Sequence, residues 1–469
     1  MAENWKGKNV LILGLGQYPK GSGFAAVEFF ARAGANVIVS DFYYTPAMKA
    51  NADRAKVFKN VRCIFKKHPT KEIRSADLVI RHQRLRTTEP EMVLATELGK
   101  RIETAESVFL KMCPCPVIGI TGTRGKSTTT TLVYEMLKAS KRQVWLGGNI
   151  LVSPLTFLSK IKKDHLVVLE LSSFQLEGTG AAGISPKISC VTNLLRDHLN
   201  AYPGMEEYAE AKAQIFRHQS PTDVTIFNAD DAYGKEWMDE APGLVRVFSK
   251  KKSRTSSAWI SNGALWMKDG SKEVKVVETK QLNVQGEHLF ANMLAAMLTA
   301  KSSGASMSGI RTALKSFRGL ADRQEFLREV NGVGFVNDTT ATTPDGAIAA
   351  MKTLSARFKT LRMIIGGADK ELEFDGLATT AKRFKADLVV LPGTAHDKLT
   401  KSLKKAKVSY QDVTSLEEGF LELQKRSKKG DGIVLSPGCA SFGLFANEFE
   451  RGARFKKLVA NLDQKRKST

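Results

Sequence analysis

The residues best suited to chemistry lie in segment 117–131, which reads VIGITGTRGKSTTTT. Its apolar start predicts a buried strand, and Gly122 and Gly125 allow a tight turn whose amides can surround phosphate oxygens before a helix begins. Lys126 would reach the outer phosphates, and Ser127 would hold magnesium. Five residues separate Gly119 from Gly125, whereas the usual phosphate loop has four residues between the corresponding glycines. A glycine-rich turn without a ligand is the alternative, but the strand, glycines and Lys-Ser pair favour phosphate binding.

A carboxylate follows a second apolar run. Segment 166–176 reads LVVLELSSFQL, which predicts a buried strand that presents Glu170 at its end. Magnesium beside a nucleotide prefers hard oxygen ligands, so Glu170 is well placed to supply one.

Asp197 and His198 come shortly after another apolar run, 188–191. A histidine by itself is more often structural, but its place just past a strand and beside an acid favours a role in the site. Lys212 falls within a predicted helix, 208–216, and the pattern alone indicates a surface lysine.

The N-terminal residues resemble the opening of a Rossmann unit. A strand over 9–13 runs into a glycine turn that begins at Gly14, and a strand over 36–40 ends at Asp41. Such a turn receives a phosphate, and the acid after the second strand takes a polar group. The turn is lengthened by 17–21, and Asp41 lies 27 residues after Gly14, whereas about 20 is usual for a nicotinamide cofactor. A nicotinamide is therefore only weakly indicated, and another ligand with a nucleotide part fits as well.

The strand over 76–80 leads into the basic loop 81–86, RHQRLR. Open α/β sheets bind ligands at the carboxyl ends of their strands. A ligand loop and a solvated turn are equally compatible with this segment.

Length and composition predict a soluble, multidomain chain. The 469 residues predict about three domains. We find neither a membrane-length apolar run nor a cleavable signal, so we expect a cytoplasmic protein. The net charge of +23 is spread along the chain, which favours a solvated basic surface over a nucleic-acid footprint. We therefore expect no nucleic-acid or membrane partner.

Taken together, these motifs resemble the Mur ligase family, whose members join an amino acid to a cell-wall precursor at the expense of ATP. The resemblance rests on the phosphate loop, Gly148-Asn149, the Glu170 string and Asp197-His198 with Lys212. The string ELSSFQL is similar to that of the family branch that adds D-glutamate. Segments after residue 285 continue the match in order, with the longest one being LSPGCASF over 435–442.

The resemblance implies an α/β chain of three domains. They are a Rossmann-like N-terminal domain for the UDP-sugar (1–111), a central phosphate-loop ATPase-like domain with a parallel sheet (112–317) and a Rossmann-like C-terminal domain for the amino acid (318–469). It further implies a monomer whose substrates are ATP, UDP-N-acetylmuramoyl-L-alanine and D-glutamate, joined through an acyl phosphate.

The resemblance also implies roles for individual residues. Lys126, His198, Lys212 and Arg323 would be catalytic. Two Mg²⁺ ions would be held by Ser127, Glu170, His198 and Lys212, with Lys212 carbamylated because a carbamate offers oxygen where an ammonium would repel the cation. ATP would be bound by Gly122, Thr123, Gly125, Lys126, Ser127, Thr128, Asn292, Arg323 and Asp338. The other substrates would be bound by Asp41, Asn149, Ser172, Gln175, Thr342, Lys370, Ser441, Phe442 and Phe449.

The chain departs from the family pattern at several positions. Thr340 stands where a lysine is common, Asp322 where a histidine is usual, and loop 81–86 replaces a Ser-Pro-Gly turn. Three alternatives stay open: a folylpolyglutamate-type or other ligase of the same superfamily, a phosphate-loop regulator and a dehydrogenase. Phosphate release from ATP that depends on an amino acid would separate a ligase from the last two.

Overall fold

The computed structural model describes residues 4–42, 44–45, 48–83, 85–150, 152–198, 201–284, 286–369 and 372–462. The chain divides into two compact units, Met1–Phe317 and Arg318–Thr469. The described residues form sheets of five, nine and six strands, and the predicted α/β class is confirmed. No helix among them has the length and apolarity needed to cross a bilayer.

The first sheet is parallel, in the order β3-β2-β1-β4-β5. Its strands are β1 (Asn9–Leu13), β2 (Asn36–Asp41), β3 (Val61–Phe65), β4 (Leu78–Arg81) and β5 (Ile102–Glu103). Its helices are α1 (Ser22–Arg32), α2 (Lys49–Ala55), α3 (Thr70–Ser75), α4 (Pro90–Glu97) and α5 (Ala105–Met112). Connections leave β1 and β4 in opposite directions, so a crevice opens at their carboxyl ends, where such sheets bind ligands.

The second sheet has the order β14-β13-β12-β11-β10-β9-β6-β8-β7. It is parallel from β7 to β12, and β13 and β14 extend it as antiparallel strands that the sequence did not predict. Its strands are β6 (Val117–Thr121), β7 (Val144–Gly148), β8 (Leu166–Glu170), β9 (Ile188–Val191), β10 (Val224–Asn228), β11 (Leu244–Ser249), β12 (Ala258–Ser261), β13 (Ala264–Asp269) and β14 (Lys272–Glu278). Its helices are α6 (Lys126–Ala139), α7 (Ser173–Ala181), α8 (Met205–Ala213), α9 (Ala232–Glu240), α10 (Glu287–Ser302) and α11 (Met307–Ser316).

One hydrophobic core continues from the first sheet into the second. Phe109 of α5 is fully buried and meets Phe157 edge to face at 6.0 Å, and Phe157 stacks on Trp145 of β7 at 5.3 Å. Large aromatic side chains bury much apolar surface. The two sheets are therefore held together as a single unit.

The second unit contains the third sheet, in the order β15-β16-β20-β17-β18-β19, with β15 antiparallel to its neighbour. Its strands are β15 (Glu325–Val330), β16 (Val333–Asn337), β17 (Leu361–Gly366), β18 (Asp387–Leu391), β19 (Tyr410–Asp412) and β20 (Gly432–Leu435). Its helices are α12 (Pro344–Leu354), α13 (Asp375–Arg383), α14 (His396–Lys405), α15 (Leu416–Arg426) and α16 (Glu448–Ala460).

Candidate active site

The predicted phosphate loop joins the buried strand β6 to helix α6. Gly122 and Gly125 adopt φ angles of +143° and +84°, which a side chain would strain. A Cβ at Gly122 would lie 2.0 Å from Thr192 Oγ1. The amide of Thr123 donates to Asn193 O at 2.9 Å, which fixes the loop against the segment after β9. The turn thus leads into the first turn of α6, where backbone amides are available to an anion.

Two lysines meet at one carbonyl oxygen of this loop. Lys126 Nζ and Lys212 Nζ donate to Gly122 O at 2.9 and 3.0 Å. Lys212 is only 1% exposed, so its prediction as a surface lysine from the helical pattern is wrong. Burial and the nearby Lys126 charge hold the pKa of Lys212 well below its usual value. Its amine is therefore shifted toward the neutral, nucleophilic form.

Glu170 ends β8 beside the loop and is 2% exposed. Its Oε1 accepts a hydrogen bond from Asn149 Nδ2 at 2.9 Å, whereas its Oε2 has no hydrogen-bond partner among the described residues. Burying an unpaired carboxylate oxygen is unfavourable unless a ligand satisfies it. This oxygen is therefore suited to a cation.

His198 lies close to the same charges. Burial and the charges of Lys212 and Lys126 lower the pKa of His198, against the opposing effect of Asp197. Its ring packs edge to face on Phe174 and Tyr208, and its backbone has a φ of +55°. A lowered pKa favours the neutral imidazole, which is the form that binds a metal.

The remaining central residues surround the loop. Ser127 and Thr128 are half-buried in the first turn of α6. Asn292 of α10 reaches the loop, because a Cβ at Gly125 would lie 2.1 Å from Asn292 Oδ1. Tyr208 was not predicted, yet its hydroxyl lies 3.2 Å from Thr123 Oγ1. Tyr208 and Thr123 are 85 residues apart in the sequence, so no local sequence pattern could indicate this contact.

A separate cleft of about 820 Å³ opens at the crevice of the first sheet. Its lining brings together the predicted residues Asp41, Asn149 and Gln175. Asp41 Oδ2 accepts from Leu15 N at 2.9 Å, which holds the turn after β1.

Ser172 caps α7 in a reciprocal hydrogen-bond pair with Gln175. Gln175 Nε2 also donates to Glu106 Oε1 at 2.8 Å. Ser172 and Gln175 therefore have structural partners of their own. Gln83 also lines the cleft and belongs to loop 81–86, one of whose two interpretations was a ligand loop. Glu106 and Ser153 line it as well, although the sequence did not indicate them.

In the second unit, Asp338 follows β16 and is 3% exposed. Its oxygens accept from Gln324 N at 3.0 Å and Ser436 Oγ at 2.6 Å. Burial raises the pKa of Asp338 to about 6, against these hydrogen bonds and the charge of Arg323. Arg323 itself is exposed.

The predicted amino-acid residues of this unit lie on several segments: Ser441 and Phe442 in the loop after β20, Thr342 between β16 and α12, and Phe449 on α16. Ser441 is 2% exposed, and its Oγ has no hydrogen-bond partner among the described residues. Thr342 is half-buried, whereas Phe442 and Phe449 are exposed. Lys370 lies outside the described residues.

Arg451 was not predicted as a site residue. It contacts the backbone of the segments after β16 and β20. It is fully buried, and its guanidinium donates to Thr339 O at 2.9 Å and Cys439 O at 3.3 Å.

Comparison with known proteins shows the family of this chain. Residues 120–300 match the model of the Mur ligase middle domain, and residues 322–439 match that of the Mur ligase glutamate ligase domain. The chain is 37% identical over 467 residues to the UDP-N-acetylmuramoylalanine--D-glutamate ligase of Roseiflexus sp., which covers 97% of this chain and 98% of that one. The chain belongs to the Mur ligase family.

Other relatives of this Mur ligase cover the same length. The UDP-N-acetylmuramoylalanine--D-glutamate ligase of Clostridium botulinum is 34% identical over 463 residues, with 97% of each chain covered. The solved UDP-N-acetylmuramate-alanine ligase of Thermotoga maritima matches with a TM-score of 0.57 at 19% identity, over 97% of this chain and 99% of that one. The murein peptide ligase of Psychrobacter arcticus matches with a TM-score of 0.51 at 18% identity, over 97% and 99% of the two chains. These structures share the fold.

Mur ligases use ATP and Mg²⁺. The residues of this Mur ligase fit both groups, because the loop offers amides and a lysine to phosphate and Glu170 offers an unpaired buried oxygen to a cation. Among the described residues, no three His, Cys, Asp and Glu side chains cluster as a ready metal site. The predicted ligand set differs from such a cluster because it includes Ser127 and a modified Lys212.

Proposed function

We propose that this chain catalyses the ATP-dependent addition of D-glutamate to UDP-N-acetylmuramoyl-L-alanine in peptidoglycan precursor synthesis. The observation that carries the proposal is the end-to-end similarity to ligases with that name, at 37% and 34% identity. The two lysines at the phosphate loop and the Glu170 oxygen, which has no hydrogen-bond partner among the described residues, support the use of ATP and Mg²⁺.

The carboxylate of the acceptor must first be activated, because a carboxylate is a poor acyl donor. Loop amides and Lys126 stabilise the charge that develops on the transferred phosphoryl group. In this proposal Arg323 adds a second cation, Asn292 contacts the adenine and Asp338 binds the ribose. Bound Mg²⁺ would neutralise phosphate charge, with Ser127, Glu170, His198 and Lys212 as its holders.

Carbamylation of Lys212 is part of this proposal. The depressed pKa of Lys212 favours the neutral amine, which forms an N–C bond to CO₂ and releases one proton. The product carries a negative charge and two oxygens where an ammonium would repel the cation. The side chain of Lys212, which lies beside Lys126 and Gly122 O, would then carry a negative charge instead of a second ammonium charge.

The incoming amino acid is assigned to the second unit. Binding D-glutamate requires hydrogen-bond donors for its two carboxylates. Its amine must stay free, because it is the nucleophile. The Ser441 hydroxyl, which has no hydrogen-bond partner among the described residues, can donate to one carboxylate. Thr342, which follows Asp338 closely in the sequence, would offer a second hydroxyl. Phe442 and Phe449 would cover the methylenes, and Lys370 would supply a point charge.

The sugar nucleotide is assigned to the cleft of the first unit. The cleft has a volume of about 820 Å³ and is lined by the glycine turn, Asp41, Asn149 and Gln175. A cleft of this size at the carboxyl ends of the strands can hold an extended ligand. Ser172 would act through the capping of α7. A cytoplasmic, monomeric enzyme is the form we expect, and light scattering would test the monomer.

The decisive experiment measures phosphate release from ATP with UDP-N-acetylmuramoyl-L-alanine and a panel of amino acids, with product masses. D-glutamate should give the highest kcat/KM, and Ser441→Ala should raise the KM for D-glutamate about tenfold without changing that for ATP. Ser427→Ala is the matched control, because Ser427 Oγ is bonded to Leu423 O at the end of α15. Faster ligation of L-alanine, L-lysine or meso-diaminopimelate would refute the D-glutamate assignment.

A further inference from the structure

Two cysteine thiols lie side by side just after α5. Cys113 is the residue that follows the helix, and only Pro114 separates it from Cys115. Both thiols are free, and their Sγ atoms lie 3.7 Å apart. Because the S–S bond of a disulfide is about 2.05 Å long, a small movement of the two side chains would bring the sulfur atoms within bonding distance. The pair is therefore arranged for an intrachain disulfide.

The surroundings of the pair give its two thiols different reactivity. Cys113 is half-buried, whereas Cys115 is 8% exposed and belongs to the hydrophobic core. The Cys115 thiol donates a hydrogen bond that lowers the pKa of Cys113 against its burial. The same hydrogen bond, together with burial, raises the pKa of Cys115. Since the thiolate is the nucleophile, Cys113 is the thiol of the pair that attacks first.

The other three cysteines of the chain lack this combination. Burial raises the pKa of Cys63, and it raises the pKa values of Cys190 and Cys439 to about 12. Cys190 and Cys439 are also buried away from solvent. All five cysteines lie in the described part of the chain. Cys113 is therefore the one whose thiol is both partly exposed and shifted toward the thiolate.

The pair occupies the segment that joins the first two sheets. α5 belongs to the first sheet, and β6 begins at Val117, directly after Pro116. Pro116 O accepts a hydrogen bond from Val167 N of β8 at 3.2 Å. β6 in turn leads into the phosphate loop. A covalent change at the pair would therefore act on the connection between the first sheet and the strand that precedes the loop.

We propose that Cys113 and Cys115 are a site of reversible oxidation, at which hydrogen peroxide converts the two thiols to an intrachain disulfide. The sulfur of Cys113 attacks one peroxide oxygen and the O–O bond breaks, which gives a sulfenic acid and one water. The sulfur of Cys115 then attacks the sulfenic sulfur, so that the S–S bond forms, the S–O bond breaks and a second water leaves. The thiols lose two electrons, which the peroxide gains, and the two thiol protons leave in the water molecules.

Peptide mapping of the full chain tests this proposal. Trypsin cleaves after Lys111 and Arg124, so peptide 112–124 contains both thiols of the pair and no other cysteine. The reduced chain is treated with stoichiometric hydrogen peroxide, unfolded and alkylated with iodoacetamide. Peptide 112–124 should be recovered without alkylation and lighter than its dithiol form by two hydrogen atoms, whereas the other cysteines should be alkylated. Dithiothreitol, added before the alkylation, should restore both thiols.

Two variants test the order of the two steps. Cys115→Ser lacks the second thiol, so Cys113 should stop at the sulfenic acid and be labelled by dimedone. Cys63→Ser is the matched control, because Cys63 is also half-buried but has a raised pKa. This control should form the disulfide to the same extent as the parent. A failure of Cys115→Ser to take up dimedone would overturn the assignment of Cys113 as the attacking thiol.

Alkylation of the folded, reduced chain measures the reactivity of Cys113 directly. At pH 7 Cys113 should react with iodoacetamide about tenfold faster than Cys63. Cys115→Ala removes the hydrogen-bond donor and should slow the reaction of Cys113 about threefold. Equal rates for Cys113 and Cys63 would overturn the proposal. It would also be overturned if peroxide left both thiols of peptide 112–124 open to alkylation, joined either of them to Cys63, or gave a product that dithiothreitol does not reduce.

Discussion

The phosphate loop and the cleft proposed for the sugar nucleotide lie in the same unit but hold their polar groups in different ways. The loop is one contiguous segment, and two lysine side chains converge on its Gly122 carbonyl oxygen. The cleft is built from several segments, and two of its acids, Asp41 and Glu106, accept hydrogen bonds from Leu15 N and Gln175 Nε2. Two cationic side chains thus meet in the first region, whereas neutral donors bind two acids in the second.

This difference indicates how each region should respond to substitution. A loop that neutralises developing charge depends on single cations, because electrostatic stabilisation in a water-excluded site is large. A cleft that binds an extended ligand divides its affinity among many contacts. Substitutions in the loop should therefore act on turnover, and those in the cleft on affinity or stability.

The largest effect is expected for Lys126→Ala. The lysine contacts loop carbonyls and not the hydrophobic core, so kcat/KM should fall by at least about 10²–10³ with little change in melting temperature. Lys138→Ala, an exposed lysine on the same helix, is the control and should keep full activity. Retention of more than a tenth of the parent turnover in Lys126→Ala would remove the contrast between the two regions.

Lys212→Ala should be the next most severe change, with turnover reduced about a hundredfold. Acetate or formate should partly restore it, because either anion can replace the carbamate oxygens. The same anions should not rescue Lys126→Ala, which loses a cation. Equal rescue of both variants, or parent-like turnover of Lys212→Ala, would exclude the carbamate.

The smallest effect is expected for Glu106→Gln in the cleft. Burial raises the pKa of Glu106, so its contribution to stability is complete below the unfolded pKa of about 4.5 and is lost as pH rises through the folded value. The variant keeps an acceptor for Gln175. It should melt about 2 °C higher than the parent at pH 7 and no higher below pH 4.5.

Exposed Glu97 on α4 provides the control for this change, since Glu97→Gln should show no such pH dependence. A Glu106→Gln variant that is less stable than the parent at pH 7 would indicate an ionised Glu106 paired with Arg81. The cleft would then resemble the loop in its use of charge.

Sequence reasoning performed best where the chemistry is local. The predicted strands over 9–13 and 188–191 coincide with β1 and β9, and the helix predicted after the glycine turn is α6, which begins at Lys126. These strands are continuous apolar runs bounded by turn residues, so the pattern is sufficient to define them.

Contacts between distant segments could not be predicted in the same way. Lys212 lies on α8, and its burial depends on Gly122, ninety residues earlier. The hydrogen bond from Ser153 N to Lys20 O likewise depends on the packing of the segment after β7 against the turn before α1. Strands β13 and β14 were missed because their short amphipathic segments are stabilised by pairing with neighbours.

The left-handed backbone of His198 has a consequence for the history of such chains. A φ of +55° at a residue with a side chain costs about 1–2 kcal/mol relative to glycine. Random substitution would therefore favour glycine at position 198 if folding alone were under selection. With the proposed metal-binding role of His198, selection for the reaction would retain a histidine here against this cost, and a chain with glycine at this position would lack that ligand.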